Sequence, residues 1–335
     1  MEAGGITVTY REAANVFEIM DNVSMWLSGK CDEEYRAYWQ ERFGVSPADE
    51  QRFASYKQLR KRSYPRPPND AADGSDARPA SLFAPRKPVD RLADAFYDSA
   101  TVDEALAKLA GVATPEDIAE LRAFYAVYRP QYESLLTESQ LYLPIAAVIQ
   151  KKLEEARADT YTADLARFYG VTDLPRFTAL YVWWPPVENV TANTRGRFLL
   201  LKYHPAKHGR SAMSDIDIPI HEFAHYISAH QPEEQKRALT RTFLAGCDPT
   251  AYVKPVKILE EPLAVAHQKL FLSVADPQRF DASVPWYGGD RWIDPFAKAV
   301  YPELKDARAH GRMIDDALMT SAAESCAVLY AARRR

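Results

Sequence analysis

Cysteine is nearly absent from the sequence, long apolar runs are absent altogether, and neither sign of charge dominates. Cys31, Cys247 and Cys326 are far apart and form no CxxC pair. That excludes a cysteine-ligated metal or a thioredoxin-type centre and allows one disulfide at most. The longest apolar run, Tyr142 to Ile149, falls far short of the roughly 20 residues a membrane-spanning helix needs, so no membrane span is expected and the chain reads as soluble. With 42 Lys plus Arg against 46 Asp plus Glu, there is no positive excess to neutralise a phosphate backbone, and no nucleic-acid partner is expected. The opening Met-Glu-Ala-Gly-Gly lacks the basic stretch followed by an apolar one that marks a signal peptide. Glycine is also scarce, at 13 residues, and no internal repeat is evident.

What is present is a chain with 47% hydrophobic and 12% aromatic residues, enough for one large core or two ordinary ones and too much for disorder. Apolar residues fall mostly at helical spacing. Ala13, Val16, Phe17, Met20, Val23 and Met25 place one helix over Glu12–Trp26; Glu34–Phe43 and Pro47–Arg62 read as two more, and Pro130–Tyr169 as a long helix with a break. Between them, Tyr64–Asp90 holds Pro65, Pro67, Pro68, Pro79, Pro85 and Pro88 and reads as a long loop. A solvated insertion is favoured there over a cover across a cleft. Near Phe177 the character changes. Phe177–Trp183 and Arg197–Tyr203 are β-branched, aromatic and apolar, bounded by Pro-Pro and Gly, and read as strands. The expected fold class is therefore α+β, mostly helical, with a small sheet. A boundary near residue 160 separates a helical N-terminal region, 1–160, from a second region, 161–335.

One segment carries chemistry. In His221-Glu222-Phe223-Ala224-His225 the histidines sit at i and i+4, so on a helix both project from one face and can hold one zinc ion. Glu222 lies beside them, placed to act on water at the metal without being a ligand. Asp217 as N-cap, Pro219 in the first turn and Gln231-Pro232 at the end frame a helix. Ile220, Phe223, Ala224 and Ile227 give it a separate apolar stripe.

The segment resembles the HExxH zinc metallopeptidases. It departs from the metzincin pattern, HExxHxxGxxH, because Ser228 and Gln231 stand where Gly and His are needed, and His230 is one residue out of register. Ile258–Ala266, with Glu260-Glu261-Pro262-Leu263-Ala264, is similar to the later element from which the gluzincins take a glutamate ligand. The resemblance implies a zincin-like catalytic region with one Zn²⁺ held by His221, His225 and Glu261, Glu260 being the alternative ligand, and with Glu222 as general base. Several gluzincins carry an Asp where this chain has Val265, which leaves Asp215, Asp217, Asp290 and Asp294 as candidates to orient a ligand histidine. Tyr287, Tyr301 and His310 are candidates to stabilise an oxyanion. The resemblance also makes Arg197–Tyr203 the edge strand that pairs with an extended substrate. His204, His208 and His267 read as surface or packing residues, and Trp183-Trp184 as core rather than cleft lining.

The function implied is zinc-dependent hydrolysis of peptide bonds in a peptide or protein substrate. The alternative is a non-catalytic module of the same fold that binds a peptide or protein partner, and a third reading is a helical protein with a chance motif. Retention of Glu222 beside the histidines favours the first, since a purely structural zinc needs no adjacent base. The resemblance to bacterial members of this class favours an exported protein, periplasmic or secreted, over a cytoplasmic one. In an oxidising compartment Cys247 and Cys326, both in the second region, are the expected disulfide pair.

Overall fold

The computed structural model describes residues 5–27, 31–64, 81–86, 88–173, 176–209 and 215–333. A four-stranded sheet contains β1 (Ile6–Tyr10), β2 (Phe177–Trp183), β3 (Thr191–Arg195) and β4 (Phe198–Tyr203), in the spatial order β1-β2-β4-β3. β2 runs parallel to both β1 and β4, and β3 runs antiparallel to β4. The two strands expected from the sequence are the inner ones, with every residue buried, which is why they read as continuous apolar runs. The outer two were hidden for the converse reason. β1 is a short alternation, Ile-Thr-Val-Thr-Tyr, and β3, Thr-Ala-Asn-Thr-Arg, is half-exposed and polar. The expectation that Arg197–Tyr203 forms the edge is thereby corrected: β4 is internal, and β3 lies outside it.

Helices surround the sheet. The first half supplies α1 (Glu12–Ser24), α2 (Glu33–Phe43), α3 (Pro47–Ser63), α4 (Arg91–Tyr97), α5 (Val102–Lys108), α6 (Pro115–Ser139), α7 (Tyr142–Glu155) and α8 (Ala158–Phe168). After β4 come α9 (Pro205–His208), α10 (Asp217–His230), α11 (Glu233–Gly246), α12 (Pro255–Ile258), α13 (Glu260–Ala275), α14 (Ile293–Ala309) and α15 (Asp316–Arg333). Local signals start several of them: Ser46 and Asp49 form a reciprocal capping box at α3, and Thr114 caps α6 ahead of Pro115, each satisfying amides that the first turn leaves unpaired. The break expected within Pro130–Tyr169 falls after α6 and again at Arg157, which has φ of 54°, while Pro130 itself lies inside α6. The protein is α+β and mostly helical. No helix among the described residues is long and apolar enough to cross a membrane.

The N-terminal region is part of the same sheet. β1 pairs with β2 from Ile6↔Phe177 to Tyr10↔Tyr181, and where β1 ends, Asn15 of α1 continues the pairing. Its amide donates to the Tyr181 carbonyl at 3.1 Å and its carbonyl accepts from the Trp183 amide at 2.6 Å. Lys202 of β4 is fully buried between Glu18 of α1 at 2.7 Å and Asp32 at 2.8 Å. The boundary expected near residue 160 is therefore crossed by sheet hydrogen bonds, and one apolar cluster extends from Ile6 to Cys326.

Most of the Pro-rich segment lies outside the described residues, but its exit does not. Leu82 and Phe83 are buried, and the Leu82 amide donates to Thr240 Oγ1 at 3.0 Å. Leu82 and Phe83 are thus anchored in the core rather than solvated, while Pro85 and Arg86 are exposed.

Cys247, at the end of α11, is bonded to Cys326 of α15 across 79 residues. Closing a loop of that length removes unfolded-state entropy worth on the order of 4 kcal/mol in the chain-entropy model. Cys31 is the free cysteine, half-buried, its thiol pushed up to about 11 by burial, which makes it a poor nucleophile. Thiol titration of unreduced, denatured protein made in an oxidising compartment should count one thiol, and three after reduction. Three before reduction would contradict the pairing.

Candidate metal centre

α10 brings the two histidines together on a face that its packing leaves open. Phe223 and Tyr226 pack on Phe177 of β2, with ring centroids 5.6 and 5.2 Å apart, and Ile220, Phe223, Ala224 and Ile227 are buried. Asp217 is not the N-cap, a position taken by Ile216. It sits in the first turn, where it accepts from Gln268 Nε2 at 2.9 Å and ties the start of α10 to α13.

Facing this helix is the first turn of α13. His221 Nε2 and His225 Nε2 lie 3.1 Å apart, and each is 3.3 Å from one oxygen of Glu261. These three donors lie within 4.8 Å of one another. Two imidazole nitrogens that close cannot both keep a hydrogen pointed at the other, so the pocket between them suits a cation that accepts lone pairs. Two nitrogens and a carboxylate oxygen form a donor set that zinc takes, with a fourth position left open. On these grounds the residues fit the metal.

Glu260 has a different task from the one expected of it. Its Oε1 accepts from His225 Nδ1 at 3.0 Å and from the Ser228 hydroxyl at 3.0 Å, while its Oε2 accepts from the Ala84 amide at 2.9 Å. It is more deeply buried than Glu261, with side-chain exposures of 5% and 19%. Glu260 therefore holds the ring of His225 so that Nε2 faces Glu261, the carboxylate–histidine arrangement that orients metal ligands. Adjacent helical side chains differ by about 100°, an offset that would let only one of the pair reach a neighbouring helix by the same route. Both do, because the imidazole presents a nitrogen at each edge and lies between the two carboxylates.

Asp215, Asp217, Asp290 and Asp294 make no hydrogen bond or ion pair with His221 or His225. Asp215 pairs with Arg279, Asp290 and Asp294 accept backbone amides around Trp286–Ile293, and Asp217 binds Gln268. His221 Nδ1 has no hydrogen-bond partner among the described residues.

The electrostatics follow from the same contacts. Burial would lower the His225 pKa, but the bonds to Glu260 and Glu261 and their charges outweigh it and push it up to about 10. Burial would raise the Glu261 carboxyl, yet the two histidines hold it well below the usual carboxylate range.

Glu222 lies outside the donor set but faces the same site: the Thr194 hydroxyl of β3 donates to its Oε2 at 2.7 Å, and its charge, like that of Glu261, acts on the Tyr287 phenol. Tyr287 also reaches the site. Burial, together with the charge of Glu261 and a hydrogen bond to it, pushes its phenol up to about 12. The other two oxyanion candidates lie elsewhere: Tyr301 packs on Phe280 and Trp286, and His310 is exposed beside Asp306 at the end of α14. His204 pairs with Glu138, His208 bonds back to His204, His267 is buried among Phe168 and Tyr169, and His230 bonds to the Tyr226 carbonyl. Trp183 and Trp184 are core residues.

Sequence reasoning missed Thr194, Ser228, the Ala84 amide and the orienting role of Glu260. Only Ser228 left a signal, one turn after His225 on the same helix. If Glu260 orients a ligand, Glu260→Ala should weaken zinc binding by about 10- to 100-fold without abolishing it, measured by competition with a chelating dye. Unchanged affinity would remove the assigned role.

No family model, curated protein or solved structure matches this chain.

Proposed function

We propose that the protein is a zinc-dependent peptidase of the gluzincin type, with His221, His225 and Glu261 holding the metal. The observation that carries the reading is the convergence of these donors from two helices, with a further carboxylate, Glu222, one residue from the first of them and outside the donor set. Zinc bound there would supply Lewis acidity towards water and a substrate carbonyl. Glu222 takes the proton released by the attacking water and returns it to the departing amine. Thr194 holds that carboxylate against β3, and Tyr287 supplies a hydroxyl donor beside Glu261 for charge developing on the carbonyl oxygen. The outer edge of β3 carries no backbone partner among the described residues and offers main-chain hydrogen bonds to an extended peptide. The disulfide fits an exported protein, because such bonds persist in oxidising compartments.

The test is cleavage of an unbiased peptide library by protein of known zinc content, with and without a chelator. Chelator-sensitive cleavage that zinc restores is the expected result. Zinc-replete protein that binds peptides and cuts none would favour the non-catalytic module.

A further inference from the structure

β3 has the candidate catalytic groups on one face of the sheet and a charged cavity on the other. Side chains alternate along a strand. Thr194 points to the α10 face and bonds Glu222. Arg195 points to the α1 face, where it lines a cavity of about 120 Å³ together with Glu18, Asp21, Asp94 and Tyr97.

Most of the acids in that cavity already have fixed partners. Glu18 pairs with Lys202 at 2.7 Å and accepts the Tyr97 hydroxyl, while Asp21 takes Arg60 through bonds of 2.7 and 3.0 Å. Asp90, which also lines the cavity, pairs with Arg60 Nη2 at 2.8 Å. Asp94 is pushed up to about 6 by burial, against the nearby charge of Arg197. Arg195 differs from all of these. It is exposed, and it makes no hydrogen bond or ion pair with any described residue, although, against burial, the charges of Glu18, Asp21 and Asp32 act on it at longer range and raise its pKa. A rigid planar fork of donors, always charged, thus lines a cavity beside the sheet edge without a hydrogen-bonded partner.

We propose that Arg195 is a specificity-determining residue that selects an acidic side chain in an extended peptide lying along β3. The proposal deepens the peptidase reading and rests on it. A peptide paired with β3 also alternates, so the residue next to one facing Glu222 presents its side chain on the α1 face. There a carboxylate can meet the guanidinium through two parallel hydrogen bonds.

The experiment separates binding from turnover. Peptides that differ only by Glu, Gln or Lys at one position, walked along the chain, are titrated against the zinc-loaded Glu222→Gln protein by fluorescence anisotropy. The same peptides are given to the wild-type enzyme for cleavage. At one position Glu should bind about tenfold or more tighter than Gln. Adding Arg195→Ala should bring that ratio to within about twofold, Arg195→Lys should restore part of it, and Arg195→Glu should make Lys the preferred residue. Thermal melting of each variant controls for folding. The proposal is overturned if no position favours Glu, or if the preference survives in Arg195→Ala. An Arg195-dependent preference in a protein that cuts nothing would sink the peptidase reading and leave this one standing. Cleavage without that preference would do the reverse.

Discussion

Glu222→Gln should leave zinc content and melting temperature unchanged while turnover falls by about 10²- to 10⁴-fold, the usual worth of a general base. The carboxylate lies outside the cluster formed by His221, His225, Glu260 and Glu261, and its bond is to Thr194. An amide can still accept the Thr194 hydroxyl, so the local structure has no reason to shift. What the amide cannot do is take up a proton near neutral pH. Turnover and zinc should therefore separate cleanly in this variant. Near-normal turnover would remove Glu222 from the mechanism, and parallel loss of zinc would show that it acts as a ligand instead.

Glu261→Ala should have the opposite signature, with zinc lost and turnover lost along with it. Its two oxygens are the groups that face both histidine Nε2 atoms. Removing them leaves two protein ligands, one short of the usual catalytic set. The loss in affinity should exceed the roughly 10- to 100-fold expected for an orienting residue, which ranks Glu261→Ala well below Glu260→Ala. The fold need not collapse, because Glu260 still fixes His225 from its other edge. Zinc titration of the two single variants and the double variant measures this order directly. Glu260→Ala losing more zinc than Glu261→Ala would exchange the two roles, and full occupancy in the double variant would exclude both.

The parts of the site that sequence exposed are those whose chemistry fits within one helical turn. His221 and His225 announce themselves because the helix sets both their spacing and their shared face, and Glu222 is found with them as a residue between. The doublet Glu260-Glu261 was divided by the resemblance alone, which made Glu261 the ligand; the task of Glu260 stayed hidden because it depends on which edge of His225 each carboxylate meets. Thr194 had no signal at all. It belongs to an edge strand whose half-exposed, polar residues lack the pattern by which a buried strand is recognised. The same exposure hid β3 and led Arg197–Tyr203, the apolar neighbour, to be read as the edge. Ala84 contributes through its backbone amide, which no residue type encodes, and it ties the exit of the Pro-rich segment to the carboxylate that orients a ligand.

A metal held by His221, His225 and Glu261 would be visible in an anomalous difference map collected at the zinc edge from crystals of zinc-loaded protein. One peak is expected between α10 and α13, at about 2.0–2.2 Å from both Nε2 atoms and a Glu261 oxygen, with Glu260 still on His225 Nδ1. A peak bonded to other residues, or no peak there at full zinc loading, would contradict it.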